Sequence, residues 1–313
     1  MRSMKQRIGI GILLLAAIFG LVSCGSSEKS VVPVVENPFA GAKVGTDSTL
    51  EIATWNLERF AKKDDETVEL VIKAVEAMDI DIIALQELSS PLEFQALVDG
   101  LEGWDGFMAT SHCCINLGFL FKTGGKLAEP QFTEILAGLP RPDPLNRNPL
   151  VLFSSFDGKP IVVINNHYWC CGNGTIDENI PDDEEFLRLK ASQALDEYIR
   201  DNFAGQRVVM VGDLNDELTD KAVDNVFQPF LDAPEQYNFV DMDIAQGPGS
   251  GWSFLGYPSH LDHIMITAPL FDAFQGETTL VQVVPLHTFM AYGWTGYDGL
   301  ISDHLPVVLK LEL

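Results

Sequence analysis

Between Arg207 and Asp216 the chain reads RVVMVGDLND. Val208 to Gly212 is almost wholly apolar, which predicts a strand buried on both faces. Where that strand meets water the chain delivers Asp213, Leu214 and Asn215. An acid and an amide two residues apart on extended backbone point the same way, so Asp213 and Asn215 can address one phosphate or one activated water together. The same string also suits an ordinary exit from strand into turn, because Gly, Asp and Asn are preferred turn residues. What separates the two readings is how many other strands end in the same manner.

Several do. LEIATWNL from Leu50 predicts a strand ending in Asn56, and Ile80 to Leu85 predicts another that runs out into Gln86 and Glu87. Between them Val68, Val71, Ile72, Val75 and Met78 recur at helical spacing behind Asp64 and Asp65. Pro91 to Leu101 predicts a short helix, and Gly106–Thr110, Asn116–Lys122, Pro149–Phe156 and Lys159–Asn166 predict strands. The last two are joined through Asp157-Gly158 as a hairpin. Asp182 to Phe203 follows Pro181 with an acidic start and sets Leu187, Ala191, Ala194, Leu195 and Tyr198 on one helical face. His260–Thr267 and Leu305–Leu313 complete the strands. Strands and helices alternate early and strands follow one another later, so a mixed sheet system in a single domain is expected. The polar strand ends are Asn56, Glu87, His167, Asp213 with Asn215, Asp262 with His263, and Ser302, Asp303 and His304.

The N-terminus has a separate job. Arg2, Lys5 and Arg7 precede an apolar run from Ile8 to Val22, and residues 1–23 read as a secretory signal. Leu21-Val22-Ser23-Cys24 resembles the bacterial lipobox, which makes Cys24 the expected lipidated first residue; an uncleaved membrane anchor is the alternative. Residues 24–49, rich in Ser, Pro, Gly and Val without periodicity, read as a flexible tether, and residues 50–313 as the folded domain. On either reading the domain sits outside the cytoplasm, on a bacterial cell envelope. Taking three of the 20 basic residues away with the signal leaves 17 against 45 acidic ones, a net charge of −28. Such a surface opposes tight, unspecific nucleic-acid binding, while a local site in which bound cations reverse the sign stays open.

The motifs ATWNLERF, LQEL, NNHYW, VGDLND, HLDHIMI and ISDHLPV, in this order from Leu50 to Leu313, resemble the endonuclease/exonuclease/phosphatase superfamily, which includes deoxyribonuclease I. The resemblance implies an α/β fold, a four-layer sandwich of two packed mixed β-sheets flanked by helices, with the active site where strand ends of both sheets meet. It implies a metal-dependent hydrolase in which Glu87, Asn56 and Asp303 hold the cation. Hard oxygen donors of that kind suit Mg2+, or Mn2+ or Ca2+. It further implies His304 as general base or proton carrier oriented by Asp262, Asp213 aligning or deprotonating the attacking water, Asn215 and Arg147 binding phosphate, and His167 stabilising the transition state. Glu58 matches a supporting acid of some members. A surface salt bridge is the competing role for Arg147.

The chain departs from that pattern in two places. No tyrosine lies between Glu87 and Arg147, so the tyrosine of apurinic endonucleases has no counterpart. The loop after His167 reads YWCCGNGTIDENIPDDEE, offering aromatic, thiol and acidic groups where a polyphosphate would want cations. Cys113, Cys114, Cys170 and Cys171 are expected to be oxidised outside the cytoplasm, as two vicinal bridges or as bridges between the two loops, the latter favoured; a zinc site with His112 and His167 is the alternative. His260, His263 and His287 are expected to be structural or surface residues. Trp169, Trp252, Phe254 and Tyr257 fall in or beside site loops, where stacking on a base or meeting a lipid competes with core packing, the favoured role for any one of them. The function expected is a monomeric, cation-dependent phosphodiesterase acting on a phosphoester, DNA among the candidates. A phospholipid or small-ester hydrolase and a non-catalytic binding protein are the alternatives.

Overall fold

The structure, a computed structural model, describes residues 37–112 and 114–313. The expected signal peptide and Cys24 lie outside the described residues. The folded chain runs β1 (Leu50–Phe60), α1 (Asp65–Met78), β2 (Ile82–Leu88), α2 (Pro91–Asp99), β3 (Trp104–Met108), β4 (Asn116–Lys122), β5 (Gln131–Glu134), β6 (Leu150–Phe156), β7 (Lys159–His167), α3 (Glu184–Asn202), β8 (Val208–Asp213), β9 (Tyr237–Phe239), β10 (Asp262–Thr267), β11 (Leu280–Val283) and β12 (Val307–Leu311), with short helical turns in the later loops. Among the described residues no helix is long and apolar enough to cross a membrane.

The strands form two six-stranded mixed sheets, β11-β12-β1-β2-β4-β3 and β5-β6-β7-β8-β10-β9. Both central strands of each sheet are buried on two faces, and the period of two divides their side chains between layers. Leu50 and Ile52 of β1 meet Val209 and Val211 of β8 in the core between the sheets. Ala53, Trp55 and Leu57 face Val68, Val71, Val75 and Met78 of α1. Val208 and Met210 face Ala191, Leu195 and Ile199 of α3 on the other side. The result is the expected sandwich of helices, two mixed sheets and helices. Helix α3 starts where Asp183 caps it, its carboxylate accepting from Phe186 N at 2.8 Å.

Strand direction decides where the chemistry gathers. β1 and β2 run parallel, as do β7 and β8, so Asn56, Glu87, His167 and Asp213 emerge from carboxyl ends. β10 is antiparallel to β8 and sets Asp262 opposite Asp213, while β12 is antiparallel to β1 and brings the Ser302–His304 segment before it to the same edge. Beneath that edge the sheets are joined by a buried polar layer. Asn165 donates from Nδ2 to the Leu85 and Gly118 carbonyls, both at 2.9 Å, and its Oδ1 accepts from Gln86 Nε2 at 2.7 Å. Buried amides satisfied this way fix one register between the sheets, where apolar contacts alone would let them slide.

Two sequence expectations need correction. Residues 37–49 of the expected tether are packed: Phe39 is wholly buried, Ala42 and Val44 join the same core, and Val44 N bonds to Met78 O at 3.0 Å. The segment is irregular, so it has no periodicity to betray its three anchoring side chains. Phe39→Ala is expected to lower stability by about 3–5 kcal/mol, the usual effect of emptying a buried phenylalanine site, read as a shift in urea midpoint. Strands β5, β9 and β11 were also not anticipated. They are four, three and four residues long, all three at sheet edges, and too short for an alternating pattern.

Candidate active site

The end of β1 is bent before it reaches the site. Its pairing with β2 shifts register between Asn56 and Phe60, and Glu58 and Arg59 take positive φ of 43° and 55°. Glu87 in β2 does the same at 61°, and Asn215 after β8 at 53°. Four side-chain-bearing residues in the left-handed region, gathered at one strand edge, mark backbone held by its surroundings to aim side chains. Gly212 is required for a different reason: a Cβ there would strike the Asn166 carbonyl of β7.

Asn56 stands between the carboxylates of Glu87 and Asp213. Its Nδ2 donates to Asp213 Oδ2 at 2.8 Å and to Glu87 Oε1 at 3.2 Å, while its Oδ1 accepts from Glu58 N at 2.8 Å. Turned this way the amide braces Glu87 and Asp213; serving a cation through oxygen requires the opposite orientation. Glu87 Oε2 accepts from Arg59 N at 3.1 Å. Glu58 accepts from Asp303 N at 3.0 Å and is neutralised by Lys62, a partner the sequence pattern did not reveal.

His304 Nδ1 and Asp262 Oδ2 are 2.7 Å apart, and Nε2 lies 3.7 Å from Asp213 and 3.8 Å from Asp303. Its backbone is held too: His304 N donates to Ser302 Oγ at 3.0 Å, and its carbonyl accepts from the Tyr297 hydroxyl at 2.7 Å. Phe254 covers the imidazole, the ring centres 4.9 Å apart, so this aromatic packs against His304. Burial alone would lower the His304 pKa; Asp262 and Asp213 together outweigh it and carry it up to about 10. Burial pushes the Asp213 carboxyl up, with His304 pulling it back and Asp262 adding to the rise. His167 Nε2 lies 3.6 Å from Asp213 and 3.9 Å from Glu87, but burial and then the charges of Arg147 and His304 hold its pKa well below the usual value, leaving it neutral.

Asn215 N donates to Asp213 Oδ1 at 3.1 Å and its Nδ2 to the Tyr168 carbonyl at 3.2 Å. Arg147 enters the same site. Burial lowers its pKa while Glu87 and Asp213 raise it, and its buried Nε has no partner among the described residues. It forms no salt bridge there, so the surface-pair role is set aside. Arg59, exposed beside Glu87, adds a cation on the rim. A cavity of 570 Å³ opens beside the loop after His167, lined by Trp169, Arg141, Pro142, Asp143, Asp182, Glu184 and Leu187.

The residues present fit a divalent cation. Asp303 is raised to about 6, chiefly by burial, with Glu58 and Glu87 adding against the pull of His304. A carboxylate that resists ionisation among other carboxylates reports a local lack of positive charge, and the donors are hard oxygens. Glu87 and Asp303 are the side chains that would hold it.

The expected cysteine bridges are not present among the described residues. Cys170 and Cys171 are exposed thiols with sulfurs 2.9 Å apart in a hydrogen bond. Cys171 takes a φ of 74°, and the two neighbouring sulfurs are turned toward each other. Cys114 is exposed, and Cys113 lies outside the described residues. The zinc alternative loses His167, whose Nε2 is aimed at Asp213 and Glu87.

His260 and His263 are structural, as expected. Asp241 Oδ2 lies 3.0 Å from His260 Nε2 and 2.6 Å from His263 Nδ1, and all three residues are wholly buried. Ligands around tetrahedral zinc, bonded at about 2.0–2.2 Å, stand farther apart than that. The spacing is that of hydrogen bonds in an ion pair. His263 also binds the Asp216 carbonyl through Nε2 at 2.9 Å. Against burial, His263 and His260 hold the Asp241 carboxyl well below the usual range, and Asp241 raises the His263 pKa. Asp241→Asn is expected to cost about 3–5 kcal/mol. The Asp241 contribution is lost as pH falls through its depressed folded value, and that of His263 as pH rises through its raised one. The gap between wild type and variant should therefore be widest between the two unfolded values, about pH 4 to 6.5, in urea melts across pH.

Comparison with known proteins agrees with this geometry. The profile of the Endonuclease/Exonuclease/phosphatase family matches residues 53–304. A search of curated proteins finds no match. Among solved structures, the chain is similar to D. rerio TDP2 complexed with single strand DNA product, at 14% identity and TM-score 0.59, covering 85% of this chain and 100% of that one. It is similar to the endonuclease/exonuclease/phosphatase from Bacteroides vulgatus, at 16% identity and TM-score 0.56, covering 85% and 99%. The human Nocturnin catalytic domain with bound sulfate anion gives 16% identity and TM-score 0.58, covering 86% and 96%. At these identities the likeness is one of fold; the profile match spans most of the sequence, and the chain belongs to the Endonuclease/Exonuclease/phosphatase family.

Proposed function

We propose that this protein is a divalent-cation-dependent phosphodiesterase. The observation that carries the reading is the convergence of Glu87, Asp213, His167 and the Asp262–His304 pair at one edge of both sheets, with Arg147 among them. Arg147 and Asn215 bind the phosphoryl group. Asp213, a carboxylate whose basicity burial has increased, orients the attacking water and accepts its proton. His304, held by Asp262, keeps a proton at Nε2 that it can give to the departing oxygen, and neutral His167 donates to the crowded phosphoryl oxygens. A cation at Glu87 and Asp303 would supply Lewis-acid charge to the phosphoryl group; Mg2+, Mn2+ and Ca2+ share the donor preference.

The substrate is a small or single-stranded phosphodiester. Gripping a long duplex takes several cations along a groove, and each neutralised phosphate adds about 0.9 to the salt slope. Here Lys62 is consumed by Glu58 and Asp298, which leaves Arg147, Arg59 and Arg141 within a chain of net charge −25. The Trp169 cavity, at 570 Å³, has the size of a ligand pocket and suits a base or head group esterified to the phosphate. Cleavage of a dinucleotide-sized diester and of a long duplex, compared across salt concentrations, tests this. Comparable rates are expected; a duplex preference of about a thousandfold with a steep salt slope would overturn the substrate reading.

The site of action belongs to the same proposal: a bacterial cell envelope, with the protein anchored by lipid at Cys24. The lipobox resemblance supports it, and a mass spectrum of the native N-terminus showing Cys24 unprocessed and unlipidated would remove it.

A further inference from the structure

We infer that Arg188 is a positioning residue for the hydrolytic site, clasping the two loops that follow His167 and Asp213, the second of which carries Asn215; the inference rests on the phosphodiesterase reading above. The parallel ladder of β7 and β8 ends at His167 opposite Asp213. Past that point the loops are tied near the site by Tyr168 N to Asp213 O at 3.0 Å and by Asn215 Nδ2 to Tyr168 O. Arg188 reaches in from α3, 2% exposed, and fastens the next layer. Its Nε donates to Asp216 Oδ2 at 2.8 Å in the loop after β8. Its Nη1 donates to the carbonyls of Trp169 and Cys171, each at 2.9 Å, in the loop after β7.

Both ends of this clasp are themselves held. Glu185, one turn before Arg188 and 3.4 Å from its Nη2, accepts from Gly174 N, and Gly172 leaves no room for a Cβ beside that carboxylate. Asp216 is gripped from the opposite side through its carbonyl, which His263 binds under the charge of Asp241. One planar cation thus sets three acceptors from two loops in one frame. Lysine cannot do this, because its ammonium is a point charge without the rigid fork. A buried ion pair adds little net stability, since desolvation offsets attraction. Its geometric content matters more, because a misplacement of about 1 Å near reacting atoms can cost about a hundredfold in rate.

The test is steady-state hydrolysis of bis-p-nitrophenyl phosphate by wild type, Arg188→Lys, Arg188→Ala and Glu87→Gln, with thermal melts of each. Arg188→Lys is expected to stay folded and to lose about a hundredfold in kcat with KM within about threefold of wild type. Guanidinium at sub-denaturing concentration is expected to restore part of kcat to Arg188→Ala and none to Glu87→Gln, a rescue that a merely structural role would not produce. If Arg188→Ala fails to fold, Arg188→Lys decides. A folded Arg188→Lys with kcat within about threefold of wild type overturns the inference while Glu87→Gln still upholds the phosphodiesterase. A wild type that hydrolyses no diester overturns the phosphodiesterase and the clasp together.

Discussion

Glu87→Gln is expected to abolish all but about a thousandth of phosphodiester turnover while leaving the fold intact. Glutamine matches glutamate in size and keeps an oxygen for the Arg59 N–H, so the change removes charge and little else. Glu87 is the partly exposed carboxylate against which Asn56 and His167 are arrayed, and mutational loss of one transition-state electrostatic contact runs to about 10²–10³. Chelator should reproduce the loss in wild type, and Mg2+ or Mn2+ should reverse it. A second readout needs no turnover: a ligand that binds only the native state raises the melting temperature, so the ions should stabilise wild type and leave Glu87→Gln unmoved. Full activity in chelator would remove the cation from the reading.

His304→Gln should lower kcat by about 10²–10⁴-fold, the range set by loss of a positioned proton carrier. The amide can still reach Asp262, so the variant separates proton transfer from simple hydrogen bonding. It also leaves Asp213 and Asp262 buried without the imidazolium between them. With a folded pKa raised to about 10, the stabilisation that His304 contributes is complete below its unfolded value near 6.5 and lost as pH rises through about 10. Melts in chelator should show wild type and variant farthest apart just below pH 6.5, the gap narrowing as pH rises and closing above pH 10. A variant that keeps a third of wild-type turnover would take His304 out of the proton path.

The convergence itself was legible because it is written into strand ends. Val208–Asp213 is apolar on both faces and then abruptly polar, a pattern that depends on neighbours in sequence alone. Asp262 and His304 are read the same way, though their hydrogen bond joins residues 42 positions apart. Arg188 was invisible for the opposite reason. The apolar stripe of α3 includes Leu187, Ala191 and Leu195, but Glu185, Arg188 and Ser192 are also buried, and hydropathy assigns such residues to the solvent. Phe39 escaped because its segment has no repeat to be out of step with. Asn56 was expected at the cation through its oxygen; which way an amide turns is decided by Glu58, Glu87 and Asp213 around it, and no sequence pattern records that choice.

The pairing of β1 with β12 has a consequence for when activity can arise. Ser302 Oγ donates to the Asn56 carbonyl across a sequence separation of 246 residues, and the register Leu50 with Leu311 closes the same sheet. While the chain is being synthesised, Asn56 and Glu87 emerge long before the segment that carries Asp303 and His304. Every shorter nascent chain lacks His304 and the neighbour that pairs with β1. Contacts this distant also form late, since loop closure must precede them. On the phosphodiesterase reading, a chain built so stays inert on the ribosome until β12 has docked against β1.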